Sequence, residues 1–244
     1  MELPPVVLLR QAAADFRYLL NRGYPREAAL TLVGNRYDLN RTGRQLLHRG
    51  VCDRETAARR RGKLVPLKHL AGRPLLVDGH NVLITLEAAL RGLPLVKADD
   101  GVIRDVAELS RAYRPGPVTT QALRLLVAAL RRARVGPVTV LLDAPMRKSG
   151  ELAREIREAL AGAGLTAEAR AVPVPETELM AAGGPVATSD SHLMDGVAAV
   201  VDLAGEIIRR ALLPAGGLTL ITWRGAAKLA PGKQRACKIP WKGL

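Results

Sequence analysis

Three aspartates in this chain each close a short apolar run. Leu75-Leu-Val leads to Asp78, residues 138–142 lead to Asp143, and Val186-Ala-Thr-Ser leads to Asp190. Runs of this kind predict buried strands of a parallel sheet. The carboxyl ends of parallel strands share one edge, and ligands bind beyond that edge. The three carboxylates therefore converge although they are far apart in sequence. Carboxylates brought together repel one another and take up protons unless a cation intervenes. Hard oxygen ligands with open positions suit Mg²⁺ or Mn²⁺. Such a cation lowers the pKa of bound water, orients a phosphate and stabilises charge on a leaving oxygen. Each aspartate also has a plainer reading, because Asp favours turns and helix N-caps. Asp190 precedes a helical stretch and Asp143 precedes Ala144-Pro145. Three aspartates on one edge, in a chain of net charge +14, favour the metal.

Other residues join this constellation. Asn81 lies three positions after Asp78, where a helix start points it back toward the same pocket to position water or phosphate. Gly79-His80-Asn81 serves equally as a polar turn, and His80 is given no role. Asp195 is either a further metal ligand or a favourable charge at a helix start. Glu178, ahead of Glu176, is the candidate for a fourth carboxylate. Asp99, Asp100 and Asp105 either fold over the site or are surface acids.

The elements that must position these groups fall into two regions. Residues 1–70 read as a small, basic, all-helical domain, with helices near 6–20, 25–33, 42–48 and 53–61. From residue 71 to 244 the pattern is α/β. Strands are expected at 75–77, 138–142, 167–172, 185–188 and 218–222. Helices are expected at 82–90, 120–134 and 150–161, with a long one ending at 213. Residues 91–118 read as an insertion or long loop. Strands alternating with helices imply a parallel sheet covered on both faces.

Charge points to a polyanion. The sequence pI is about 10.6, and residues 1–72 carry 14 Lys and Arg against 6 Asp and Glu. Nucleic acid is the first candidate partner and an anionic membrane surface the second; a solvated basic surface is the plain alternative. Arg36, Arg44, Arg60 and Arg61 recur across the helical region as a candidate phosphate-binding face. Arg147 and Lys148 follow Asp143 at a helix start, where backbone N–H groups favour phosphate. Arg224, Lys228 and Lys233 open a tail of six basic and no acidic residues, interleaved with Trp223 and Trp241. Bases can stack on such indoles, although Trp223 reads better as core. Two distant cysteines, Cys52 and Cys237, and an N-terminus unlike a signal peptide predict a reduced, cytoplasmic setting. No uncharged apolar run is long enough for a membrane span. Homo-oligomerisation is left open.

At these residues the chain resembles a known family. Val-Asp-Gly-His-Asn-Val-Leu (77–83) is similar to the opening strand motif of PIN-like nucleases, especially the NYN branch with its Asp-Gly-x-Asn core. Ala-Thr-Ser-Asp-Ser-His-Leu (187–193) is similar to the Thr-x-Asp motif that ends the fourth strand in that superfamily. The resemblance covers about residues 71–225. It implies a PIN-like three-layer α/β/α fold with a central parallel sheet. It also implies a Mg²⁺ or Mn²⁺ site of three or four acids, and RNA phosphodiester hydrolysis by metal-activated water. Carried over position by position, Asp78, Asn81 and Asp190 correspond first, Asp143 next, then Asp195 and Glu178. The helical front resembles a domain fused to such a half, with no activity implied. The usual acid in the helix before the fourth strand lacks a clear counterpart, so a catalytically inactive RNA-binding module with a degenerate site stands as the alternative. A dehalogenase-like phosphotransferase would want Asp-x-Asp at the first strand, where His80 stands instead.

Overall fold

A computed structural model of the chain describes residues 2–106 and 113–223. The front contains helices α1 (Val6–Asn21), α2 (Arg26–Arg36), α3 (Arg41–Gly50) and α4 (Arg54–Gly62). The starts of the last two follow from sequence. Asn40 and Asp53 are N-caps whose side chains accept from the backbone N–H of Gly43 and Thr56, satisfying donors the helix itself cannot.

The second region runs β1 (Leu75–Asp78), α5 (Gly79–Leu90), β2 (Leu95–Lys97), β3 (Ile103–Asp105), α6 (Pro117–Arg132), β4 (Val138–Asp143) and α7 (Ser149–Gly162). It continues with β5 (Ala167–Val172), α8 (Pro175–Ala181), β6 (Val186–Ala187), α9 (Ser191–Gly196), β7 (Val200–Val201), α10 (Leu203–Ile207) and β8 (Leu220–Thr222). A π-helical segment, Ile208–Leu212, prolongs α10. The class is α/β: a five-stranded parallel sheet in the order β5-β4-β1-β6-β7, preceded by a helical region.

Alternation along the strands assigns the two faces. Leu75, Val77, Val138, Val140 and Leu142 belong to a large apolar cluster with residues of α5, α6, α7 and α10. Leu141 and Val186 belong to a second cluster with Leu179 of α8 and Leu193 and Met194 of α9. Because α5 is enclosed, it is apolar nearly all round, with ten of its residues buried.

Three expected elements differ. Residues 91–118 are not only loop: β2 and β3 pair antiparallel around Gly101, whose φ of 97° suits glycine. Asp100-Gly101 between two apolar runs is the hairpin signal that identifies them. The long helix expected to reach residue 213 is broken by β7, because the apolar run 197–201 fills a sheet edge and Asp202 starts a new helix by accepting from Gly205 N. The strand expected at 218–222 exists as β8, but it pairs with β2 in a separate three-stranded sheet. That small sheet completes the helical front: Val96, Val106 and Ile221 lie in one apolar cluster with Leu9, Phe16 and Leu46.

Gly79 marks the tightest junction between α5 and the main sheet. A Cβ there would lie 2.6 Å from Leu142 Cδ2, 2.8 Å from Val140 Cγ1 and 2.9 Å from the Leu141 carbonyl oxygen. The carbonyl belongs to a central strand and has no cheap way to move. Gly79→Ala is therefore expected to lower unfolding stability by about 1–3 kcal/mol through overpacking, read as a reduced urea midpoint with unchanged slope. A midpoint equal to wild type would show that α5 can lift from β4.

Candidate site at the strand switch point

The order of the main sheet determines where a ligand site can form. From β1 the chain passes to β4 and β5 on one side, then crosses back to β6 and β7 on the other. The strands beside β1 thus lead away in opposite directions, and a crevice opens beyond the carboxyl ends of β1 and β6. Asp78 ends β1, and Asp190 stands three residues beyond the end of β6.

Hydrogen bonds stitch this crevice together. Thr188 Oγ donates to Asp78 Oδ2 at 2.8 Å and accepts from Asp190 N at 3.0 Å, so one hydroxyl links the Asp78 carboxylate to the backbone N–H of Asp190. Asn81 Oδ1 accepts from the backbone N of Ser189 at 2.9 Å and from its hydroxyl at 2.8 Å. Both aspartates also cap helices. Asp78 accepts from Asn81 N at the start of α5, and Asp190 accepts from His192 N and Leu193 N at the start of α9. The cap reading therefore holds for both residues.

Asp78 is buried, and its pKa is pushed up to about 7. Burial is the main cause, because it penalises the charged form. The bonds from Thr188 and Asn81 N oppose it, and the charges of Asp190 and Asp143 add to it. Asp143 feels different surroundings. Its Oδ2 lies 2.8 Å from His80 Nδ1, and this bond holds its carboxyl below the ordinary range against partial burial. His80 is almost wholly buried, packs edge-on against Tyr113 and leaves Nε2 without a hydrogen-bond partner among the described residues. Given no role on sequence grounds, His80 is the group that takes up Asp143.

The remaining expected acids are engaged by arginines. Asp195 is held by Arg60 (Nη2 to Oδ2, 2.6 Å) and by Arg59 at 3.1 Å, which depress its pKa to about 2. Glu178 pairs with Arg170 on an exposed face. Both carboxylates are occupied by guanidinium groups; Asp195 lines the same cleft as Asp190, but with its oxygens already paired. Asp100 is buried. Burial raises its pKa, but Arg104 and Arg60 outweigh that and lower it. Asp99 pairs with Arg17, and Asp105 lies 3.5 Å from Arg49. Among the described residues no group of three or more His, Cys, Asp or Glu side chains is disposed to hold a metal ion.

The basic candidates also separate. Arg60 is buried in its ion pairs and is not available to a phosphate backbone. Arg44 lies across Gly34 and donates to Leu39 O and Asn35 Oδ1, so it struts two helices together. Arg36 is exposed, 3.7 Å from Asp15. Arg61 donates to the carbonyl of Asp99. Arg147 is exposed beside the sheet edge, and Lys148, with φ 62°, pairs with Glu151. Arg224, Lys228 and Lys233 lie outside the described residues. Trp223 is partly buried as core, its indole N–H donating to Gly50 O at 2.8 Å. No helix among the described residues is long and apolar enough to cross a membrane.

A cleft of about 720 Å³ joins the helical front to the switch point. Tyr24, Arg26 and Arg49 line its front side, and Ser189, Asp190 and Ser191 line the other. Tyr24 and Arg26 carried no role in the sequence reading. Only the fold shows that the turn between α1 and α2 faces the Asp190 loop.

Residues 67–206 match the family model described as a domain of unknown function, DUF5616. Residues 8–63 match one described as a protein of unknown function, DUF434. Neither description mentions a PIN-like fold or a nuclease. The chain is 36% identical over 203 residues to "Uncharacterized protein MJ0935" of Methanocaldococcus jannaschii, covering 82% of this chain and 96% of that protein. No solved structure matches. With more than half of the chain under the first model, and a relative of this identity matched over most of both lengths, the chain belongs to the DUF5616 family.

Proposed function

We propose that this protein is a Mg²⁺- or Mn²⁺-dependent ribonuclease of PIN-like type, with its centre at the crevice between β1 and β6. The observation that carries the reading is the Thr188 hydroxyl, which donates to the Asp78 carboxylate and accepts from the Asp190 backbone N–H, tying both residues to the switch point of a parallel sheet. The motif positions agree with it. Thr188-Ser-Asp190 follows the fourth strand of the five-stranded sheet in chain order, and Asp143 ends the second.

The donor set fits a cation held by two carboxylates rather than three. Mg²⁺ is commonly bound by one or two carboxylates, with water and substrate phosphate completing its shell. Asp78 and Asp190 supply hard oxygens, and a cation bound there would oppose the burial that, with smaller contributions from Asp190 and Asp143, pushes the Asp78 pKa up to about 7. When bound there, the ion would neutralise phosphate charge and acidify a coordinated water. The chain's own residues do the rest. Thr188 and Asn81 lock the two strand ends in register. Arg49 and Arg26 line the cleft that would receive an RNA strand, and Tyr24 offers an aromatic surface to a base. The hold of His80 on Asp143 favours the second reading, an RNA-binding module without cleavage, because it leaves two acids where the resemblance implies three or four.

Asp190→Asn keeps an N-cap side chain, so α9 should persist. This variant is expected to lose Mn²⁺-dependent cleavage of single-stranded RNA by at least about a hundredfold while keeping salt-sensitive binding. Cleavage equal to wild type would overturn the assignment. A stabilising shift in melting temperature with Mn²⁺ is expected for the native chain and not for Asp78→Asn or Asp190→Asn. The same shift in all three would move the metal elsewhere.

Asp78 also predicts a pH dependence. Folded, it binds its proton more tightly than in the unfolded chain, so it favours folding at low pH. That contribution is lost as pH rises from the ordinary carboxyl range through about 7. Without divalent ions, Asp78→Asn should match wild type near about pH 4 and exceed it near about pH 8, by up to about 4 kcal/mol. Melting curves across pH test this, and parallel curves would contradict a buried, charge-crowded Asp78.

A further inference from the structure

A second cavity, of about 560 Å³, lies on the other side of the turn between β2 and β3. It shares only Cys52 and Ala98 with the first cleft, and none of Asp78, Asp143 or Asp190 lines it. Its cations come from three elements: Arg17 of α1, Arg54 and Arg61 at the two ends of α4, and Lys97 at the end of β2. Its one acid is Asp99, whose carboxylate accepts from Nε and Nη2 of Arg17, each at 2.8 Å, and also from Cys52 N. The carbonyl of the same Asp99 holds Arg61. Two guanidinium groups are thus pinned to one residue, against one negative charge. Arg54 and Lys97 have no carboxylate partner among the described residues.

Long basic side chains normally avoid one another by swinging into water. Here two of them are tied in place beside a concavity, so their repulsion persists until an anion enters. Guanidinium forks suit the oxygens of a phosphate group. Thr222 and Trp223 line the same cavity, and the indole is fixed by its bond to Gly50 O. The volume lies within the range of small-ligand pockets.

We propose that this cavity is an anion site for the phosphate of a nucleotide, supplied either as a free mononucleotide or as the end of a strand. It is independent of the metal-centre reading, since it uses none of that centre's residues.

The test uses the full chain carrying Trp241→Phe, so that Trp223 alone reports by fluorescence, with calorimetry on the same samples. Adenosine 5′-monophosphate is expected to bind and to perturb Trp223, inorganic phosphate to compete with it, and adenosine to do neither. Arg54→Gln with Lys97→Gln removes two cations that have no carboxylate partner among the described residues. This pair of substitutions should weaken binding roughly tenfold or more with unchanged melting temperature. Preference for a 5′-phosphorylated oligonucleotide over the mononucleotide assigns the strand end as the source, and the reverse assigns the free nucleotide; both support the site. Absence of heat and of a fluorescence change with every phosphate ligand overturns it. So does equal binding of adenosine, or full affinity in the doubly substituted chain.

Discussion

The buried guanidinium of Arg104 is the interaction on which the arrangement of this protein depends. It pairs with Asp100 through two bonds of 2.8 and 2.9 Å, donates to the Ser189 carbonyl at 2.6 Å and reaches the Arg49 carbonyl at 3.3 Å. The β2–β3 hairpin, the loop after β6 and the end of α3 therefore meet at one side chain. Arg60 extends the network from α4 to Asp100 and onward to Asp195 at the end of α9. Buried ion pairs add little net stability, because desolvation offsets attraction, but losing one partner is costly. Their consequence here is geometric: the helical front has one way to sit against the sheet edge. The cleft beside Asp190 exists because of that seating.

Within the cleft the same balance runs the other way. Asp195 and Asp100 have guanidinium partners and sit low in pKa, whereas Asp78 is buried with neutral donors and two neighbouring carboxylates. One fold thus satisfies its peripheral acids and leaves one central acid under strain. A carboxyl whose pKa is strongly shifted beside other acids is a common mark of a functional position. It is also why Asp143 matters: with His80 beside it, it contributes charge to the crevice while its near oxygen is already engaged.

Legibility in the sequence followed the range of the forces involved. Helix caps at Asn40 and Asp53, the apolar strands ending at Asp78 and Asp143, and the amphipathic helices between them are local and were readable. β7 was hidden because its two valines continue an apolar run that reads equally as helix. The destination of β8 was hidden because strand pairing is a long-range choice, and nothing local tells Ile221 to lie beside Val96 rather than in the main sheet.

By itself the sequence determined that Asp78 and Asp143 end strands, that Asp190 follows one, and that Asn81 sits one helical step from Asp78, since burial patterns and caps depend on neighbours along the chain. Only the tertiary structure decided which carboxylates stay together. The Asp78 carboxylate and the backbone N–H of Asp190 share the Thr188 hydroxyl because β1 and β6 are adjacent across the switch point. Asp195 and Arg60 are drawn into ion pairs by partners up to 136 residues away, a spacing that carries no trace in the sequence. The physical reason is that a charged side chain takes the strongest opposite charge folding brings within reach, and that choice is made in space.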